Sequence, residues 1–384
     1  MNILFILDIF DNGGVSKILL NLLKKLKREK YNITLLLFNK NPGFDCLLPK
    51  NIKVRYAFNK APDRSRHKLV RFVNGICKSF IPKFLIKHIL FNGKYDLAID
   101  FKSNNIHTLL AFNGKKIMWL HKDFSISTNL VEKEMLKVYG KTIRYKLKQH
   151  YFVKSLKKVD KIVLISETTR ASFVNRYGFS EKTIVLYNPI DADEITKLSI
   201  ESIYDWERRR LTICCVSRIS KGKGIDRLFN IADKLNKNNM LFDLLIIGDG
   251  DGFRETQALF EKFNFENVFL LGHRNNPYPY IKNSDLFVCP SETEAFSTVI
   301  AEASIIGIPI IATDTGATAE IIQNYGSGFI TKNTEDELYK AIHSFISNQL
   351  NVHNISNSNH VLADFNRTVA EIEGFFDGFG ESNV

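Results

Sequence analysis

The 384-residue chain reads as an α/β protein built from two open sheets, each wrapped by helices. Three observations predict this. Short apolar runs alternate with amphipathic stretches from end to end, the pattern of a parallel sheet with crossover helices. The length exceeds one ordinary open α/β domain and suits two, and a hydrophobic content of 45% fills both cores. A polar stretch at 192–206 interrupts the series, which restarts at Leu211.

In order, the first series predicts strands at 2–7, 32–38, 96–100, 116–120, 161–165 and 184–187. Helices are predicted at 15–29, 142–157 and 167–177, the first carrying Ile18, Leu19, Leu22, Leu23 and Leu26 at helical spacing. The segment Asn188-Pro-Ile-Asp191 closes this series, which places a domain at 1–190. The second series predicts strands at 211–216, 242–247, 267–271, 285–289 and 309–312 with helices between them, and a domain at 191–364. Beyond about 350 the chain is rich in Asn and Ser. Residues 365–380 are expected to form a closing helix that packs back on the first domain. Two facing sheets of this kind put the carboxyl ends of both strand sets around one cleft, where such folds bind ligands.

Several function classes are excluded. No stretch approaches the roughly 18–20 uninterrupted apolar residues of a transmembrane helix. Met1–Asp8 lacks the basic start and cleavage site of a signal peptide and reads as a buried strand. Five scattered cysteines form neither a disulfide framework nor a metal-ligand spacing, so a cytoplasmic location is expected. The net charge of +12 is lopsided: residues 1–205 hold 37 Lys and Arg against 18 Asp and Glu, and the remainder holds 16 against 23. Only the first half is therefore built to meet a polyanion, an anionic membrane or a nucleic acid.

The most informative stretch is Cys289-Pro-Ser-Glu-Thr-Glu-Ala-Phe-Ser-Thr-Val-Ile-Ala-Glu302. The run 285–289 reads as a strand ended by Pro290, and 298–306 as a helix with Ser297 or Thr298 near its N-cap. Backbone amides at that helix start favour a phosphate. Glu294 falls in the loop and Glu302 about one turn into the helix. A carboxylate accepts two hydroxyls at once, as a ribose or hexose diol presents them. The combination predicts a nucleotide-sugar pocket, against the plainer reading of two surface carboxylates.

Other motifs fall at strand ends as well. Asp11-Asn12-Gly13-Gly14 lies between the first strand and the first helix, where paired glycines admit close backbone approach. Arg218 and Lys223 flank a glycine-bearing loop after 211–216, so two cations converge on a diphosphate, or else form a solvated basic turn. This arrangement suits a leaving group that gains negative charge. Gly248-Asp249-Gly250 alone is a weak signal, and neither a Walker A loop nor the dinucleotide fingerprint is present. His121 ends the strand at 116–120, and Arg274 follows that at 267–271.

Taken in order, Gly13-Gly14, Trp119-Leu-His121, Asn188-Pro-Ile-Asp191, Ser217-Arg218 with Lys223-Gly224, and Pro290-Ser-x-x-Glu294-x-Phe296 through Glu302-Ala303 with Gly307-x-Pro309 resemble the family-4 retaining glycosyltransferases of GT-B fold. The resemblance spans nearly the whole chain and is tightest over 211–330. It implies two facing Rossmann-like domains with the active-site cleft between them. Arg218 and Lys223 would then bind and stabilise the departing diphosphate, Glu302 the ribose, and Glu294 the donor sugar. The amides of Ala295, Phe296 and Ser297 would cradle phosphate and sugar. His121 would contact the sugar near the reacting carbon, Gly13-Gly14 would approach donor and acceptor, and Arg274 would lie beside the base. Ala295 stands where the family has glycine, and 313–320 is less glycine-rich than usual, so the donor-sugar loop differs from the common pattern.

The resemblance implies hexose or N-acetylhexosamine transfer, with retention, from a nucleoside diphosphate sugar, UDP-linked by expectation, in bacterial surface-polysaccharide synthesis. No metal or other cofactor is expected. Residues 64–94, where Arg, Lys and His interleave with apolar residues, and the basic stretch 141–158 read as an interfacial surface for anionic lipid. They predict a peripheral enzyme on the inner face of the cytoplasmic membrane, acting on a lipid-linked or cell-surface glycan. Two other readings stay open: a nucleotide-sugar epimerase of the same fold, and a basic nucleic-acid-binding protein. The second gives Glu294 and Glu302 no role and shows no recognised nucleic-acid signature, so no nucleic-acid partner is expected.

Overall fold

A computed structural model describes residues 1–11, 13–41, 47–58, 95–102, 106–124, 150–325, 328–352 and 364–380. The chain divides into two compact units, Met1–Pro189 with Asn366–Val384, and Ile190–Phe365. Much of the predicted membrane-facing surface, 64–94 and 141–149, lies outside the described residues.

The first unit carries β1 (Asn2–Ile9), α1 (Gly14–Lys25), β2 (Asn32–Asn39), β3 (Lys53–Phe58), β4 (Leu97–Lys102), α2 (Ile106–Ala111), β5 (Lys115–Leu120), β6 (Lys161–Leu164), α3 (Glu167–Tyr177) and β7 (Thr183–Val185). Among the described residues its seven strands are all parallel, in the order β3-β2-β1-β4-β5-β6-β7. Strands covered on both faces must be apolar throughout, and Ile3 to Leu7 are all fully buried. That is why β1 was legible as a run. β3 was not: Lys53-Val-Arg-Tyr-Ala-Phe58 is an edge strand whose charged residues break the apolar signal.

Helix α1 stops earlier than the predicted 29. Leu26 turns to an extended conformation, and the next amide, of Lys27, donates to Glu373 at 2.8 Å. That partner belongs to α11 (Phe365–Asp377), which the chain reaches only at its far end. Phe376 of α11 is fully buried against Phe5 and Tyr31, with ring centroids 6.2 and 6.1 Å apart. The Tyr31 hydroxyl donates to the Asp377 carboxylate at 2.7 Å. A helix end set by a contact 346 residues away leaves no local pattern.

The second unit carries α4 (Ala192–Ser199), β8 (Thr212–Val216), α5 (Ile225–Lys237), β9 (Asp243–Ile247), α6 (Phe253–Phe263), β10 (Val268–Gly272), α7 (Tyr278–Lys282), β11 (Leu286–Cys289), α8 (Thr298–Ile306), β12 (Ile310–Thr313), α9 (Ala317–Tyr325), β13 (Phe329–Thr331) and α10 (Glu335–Ile346). The six strands among the described residues are parallel in the order β10-β9-β8-β11-β12-β13. Helix α4 falls in the stretch read as merely polar. Asp191 caps it, accepting from the Glu194 amide at 2.9 Å. Both units share one topology: the chain winds outward from the first strand to one edge, then crosses to wind the other way. The crossing points, β1/β4 and β8/β11, are the topological switch points where such sheets open a crevice at their carboxyl ends.

Candidate active site

At the second unit's switch point three loops interlock through glycine. Gly224 ends the β8 loop at φ +70°, and a Cβ there would sit 2.1 Å from the Pro290 carbonyl oxygen of the β11 loop. Gly248 has φ +145°, and a Cβ on it would meet the Ser217 carbonyl oxygen at 1.8 Å. Only glycine permits these approaches. The Glu292 amide adds a bond to the Gly222 carbonyl at 2.8 Å. The weak Gly248-x-Gly250 signal thus has a packing role: it clamps the loop that carries Arg218 and Lys223.

This clamping joins two of the predicted residues. Lys223 Nζ lies 2.6 Å from Glu294 Oε1, and the same oxygen accepts the Ser291 hydroxyl at 2.9 Å. Ser291 is itself buried, and its carbonyl accepts from the Thr313 hydroxyl of β12. The Glu294 backbone also bridges to Gly316 ahead of α9. Three chain segments therefore fix one carboxylate.

Helix α8 begins at Thr298, as the capping pattern predicted. Its N-cap Ser297 makes no side-chain capping bond. Phe296 and Ser297 are buried at this helix start, next to Ala295, and Glu302 is buried one turn further on. The helix start thus presents positive backbone dipoles beside the Lys223–Glu294 pair's loop.

Two predicted cations are engaged with other partners. Arg218 is exposed and pairs with Asp251 at 3.3 Å. Arg274 is heavily engaged: it pairs with Asp205, donates to the Tyr280 hydroxyl at 3.3 Å, and reaches the carbonyls of Leu271 and His273. The Tyr280 hydroxyl and then the Arg274 charge hold the Asp205 carboxyl below its usual range against partial burial. This cluster braces the loop after β10 to the linker after α4.

In the first unit, Gly13 is the N-cap of α1 and Gly14 its first residue. The Asp11 carboxylate accepts from the Gly13 amide at 3.1 Å, the Ser16 hydroxyl at 2.7 Å and Lys102 Nζ at 3.3 Å. Burial would raise the Asp11 carboxyl, but Lys102 and these donors outweigh it and lower it. His121 follows β5. Its ring stacks parallel to Trp119, and both ring nitrogens are shielded from solvent with no hydrogen-bond partner among the described residues. Burial, aided by the Lys102 charge, lowers its pKa to about 3, so the imidazole is neutral at physiological pH.

Sequence reasoning missed Ser291, Asp11, Lys102, Asp205 and Asp251. Ser291 lay inside the quoted motif without a role. Lys102 is one lysine in a lysine-rich half, and only the β1/β4 pairing reveals it.

The family profile described as "Glycosyl transferases group 1" matches residues 199–360, and "Glycosyltransferase Family 4" matches residues 12–194. The chain belongs to the family-4 glycosyltransferases. Its two Rossmann-like units form the GT-B fold. An uncharacterized glycosyltransferase of Haemophilus influenzae is 22% identical over 350 residues, covering 90% of each chain. An N-acetylgalactosamine-N,N'-diacetylbacillosaminyl-diphospho-undecaprenol 4-alpha-N-acetylgalactosaminyltransferase of Campylobacter jejuni is 31% identical over 159 residues, covering 41% of this chain and 42% of that one. Among solved structures, Anabaena Alr3699/HepE in complex with UDP and glucose superposes with a TM-score of 0.67 at 19% identity, covering 98% of this chain and 99% of that one. Among the described residues, no helix of this family-4 glycosyltransferase is long and apolar enough to cross a membrane.

Proposed function

We propose that this glycosyltransferase moves a hexose or N-acetylhexosamine, with retention, from a UDP-sugar to a hydroxyl of a lipid-linked or cell-surface glycan. The Lys223–Glu294 pair beside the α8 N-terminus carries the reading. It sets a cation for a diphosphate, helix amides for its oxygens and a carboxylate for sugar hydroxyls within one loop cluster at a switch point. A uridine donor is supported by the UDP in the structurally similar Anabaena protein, and a lipid-linked acceptor by the name of the Campylobacter relative.

In this reading Lys223, with Arg218 recruited from its exposed pair, neutralises the departing diphosphate without a metal ion. Glu302 holds the ribose, and the amides of Ala295 to Ser297 hold phosphate. Neutral His121 accepts or donates a hydrogen bond at the sugar without adding charge. The route is front-face: the departing β-phosphate takes the acceptor proton, so the protein's contribution is positioning and charge stabilisation. The test is a panel of UDP-, GDP-, ADP- and CMP-sugars in thermal shift, followed by turnover of Lys223→Ala. Stabilisation by UDP-sugars and a fall of about 10²-fold or more in turnover are expected. Near-normal turnover would refute the assignment. The peripheral membrane location rests on the basic first half, and flotation with liposomes with and without anionic lipid tests it.

A further inference from the structure

We propose that Glu294 is the resident counter-ion of Lys223, and that the donor's diphosphate takes Lys223 from it while Ser291 keeps the released carboxylate in place for the sugar. The inference rests on the proposed nucleotide-sugar reading and deepens it.

The geometry points there in three steps. The pair is close, 2.6 Å, and its side chains are only 25% and 13% exposed. Its attraction is thus less screened than that of a surface pair. A diphosphate approaching Lys223 meets the Glu294 carboxylate beside it, and like charges this near oppose each other. Either Glu294 gives up the ammonium or the diphosphate is held off. Oxygen Oε1 has a second partner, the Ser291 hydroxyl at 2.9 Å, on a residue anchored through Thr313. Glu294 therefore keeps its position when Lys223 leaves, with lone pairs now open to donors.

A consequence separates the two ends of the donor. A nucleoside diphosphate breaks the pair and offers Glu294 nothing in return. A nucleotide sugar breaks the same pair and supplies hydroxyl donors to the vacated oxygen. After transfer the diphosphate product again lacks those hydroxyls, and Glu294 competes with it for Lys223. The ion pair so favours the full donor over the spent nucleotide.

Calorimetric titration with UDP, and with GDP and ADP in the same series, tests this on wild type, Glu294→Gln, Ser291→Ala and Ser291→Thr. Glu294→Gln should bind UDP about three- to tenfold more tightly than wild type while its turnover of the sugar donor falls, a combination that a purely structural glutamate does not produce. Ser291→Ala should leave UDP affinity within about twofold of wild type and raise KM for the UDP-sugar, and Ser291→Thr should restore it. Unchanged or weaker UDP binding by Glu294→Gln, in a variant with wild-type melting behaviour, overturns the exchange. Failure of both wild type and Glu294→Gln to bind any of the three diphosphates overturns the nucleotide-sugar reading itself.

Discussion

Gly224→Ala is the sharpest probe of how the loops hold the site. Alanine at φ +70° costs about 1–2 kcal/mol from the left-handed conformation alone. Its Cβ would lie 2.1 Å from a backbone oxygen and 2.9 Å from the carbonyl carbon of Pro290, so no side-chain rotation relieves the contact. The β8 and β11 loops must separate by roughly 1 Å, and overpacking of this kind costs about 1–3 kcal/mol. The total is about 2–5 kcal/mol. At about 2–4 °C per kcal/mol for a unit of this size, the second unit should melt about 4–20 °C lower. Gly307→Ala is the control: it also has positive φ, +86°, but nothing lies within 4 Å of the added Cβ. It should cost only the conformational part. Because Lys223 precedes Gly224 and Glu294 follows Pro290, the same 1 Å separates the ion pair, and misplacement of that size costs about 10²-fold in turnover. Thermal denaturation and donor turnover on both variants give the answer. A Gly224→Ala protein that melts and turns over like Gly307→Ala would refute the interlocking-loop argument.

Other outcomes follow from buried groups. His121 has a folded pKa of about 3 against about 6.5 unfolded, so the unfolded chain takes up the proton first as pH falls. Its contribution is intact above pH 6.5 and is lost on the way down to pH 3, at about 1.4 kcal/mol per pH unit. Urea melts between pH 6 and 5 should therefore fall more steeply for wild type than for His121→Asn, and parallel slopes would contradict this. Phe376→Ala should destabilise the first unit by about 3–5 kcal/mol, since the ring is fully buried against Phe5 and Tyr31. Chemical denaturation followed by near-ultraviolet circular dichroism measures it. Burial pushes the Cys214 thiol up to about 12 and raises Cys215 and Cys289 as well. Peptide mapping after iodoacetamide at pH 8 should find these three unmodified in the native protein and modified once it is denatured.

How much of this was legible in the sequence depends on the range of each interaction. Doubly covered strands such as Ile3–Leu7 and Leu286–Cys289 announce themselves, because a parallel sheet needs uninterrupted apolar runs. The turn at Pro290 and the helix from Thr298 were readable because stop and start signals are local. The Lys223–Glu294 contact spans 71 residues; their places at strand ends, and the resemblance to a family, put both at one site beforehand but not in contact. What was illegible is what depends on a distant partner. Arg274 was expected beside a base, and its engagement by Asp205, 69 residues away, and by Tyr280 was not foreseen. Helix α1 was expected to end four residues further on than it does, because Glu373 draws off the Lys27 amide. β3 was invisible because an edge position releases a strand from the need to be apolar.

The return of α11 to the first unit makes the second unit, Ile190–Phe365, a nested insertion. During synthesis at about 5–20 residues per second, the amino-terminal sheet waits on the order of ten to forty seconds for the helix that covers Phe5 and Tyr31. The nested unit is continuous and can complete itself in that interval. A frameshift or premature stop near codon 365 would thus spare the later-made domain and cripple the one translated first.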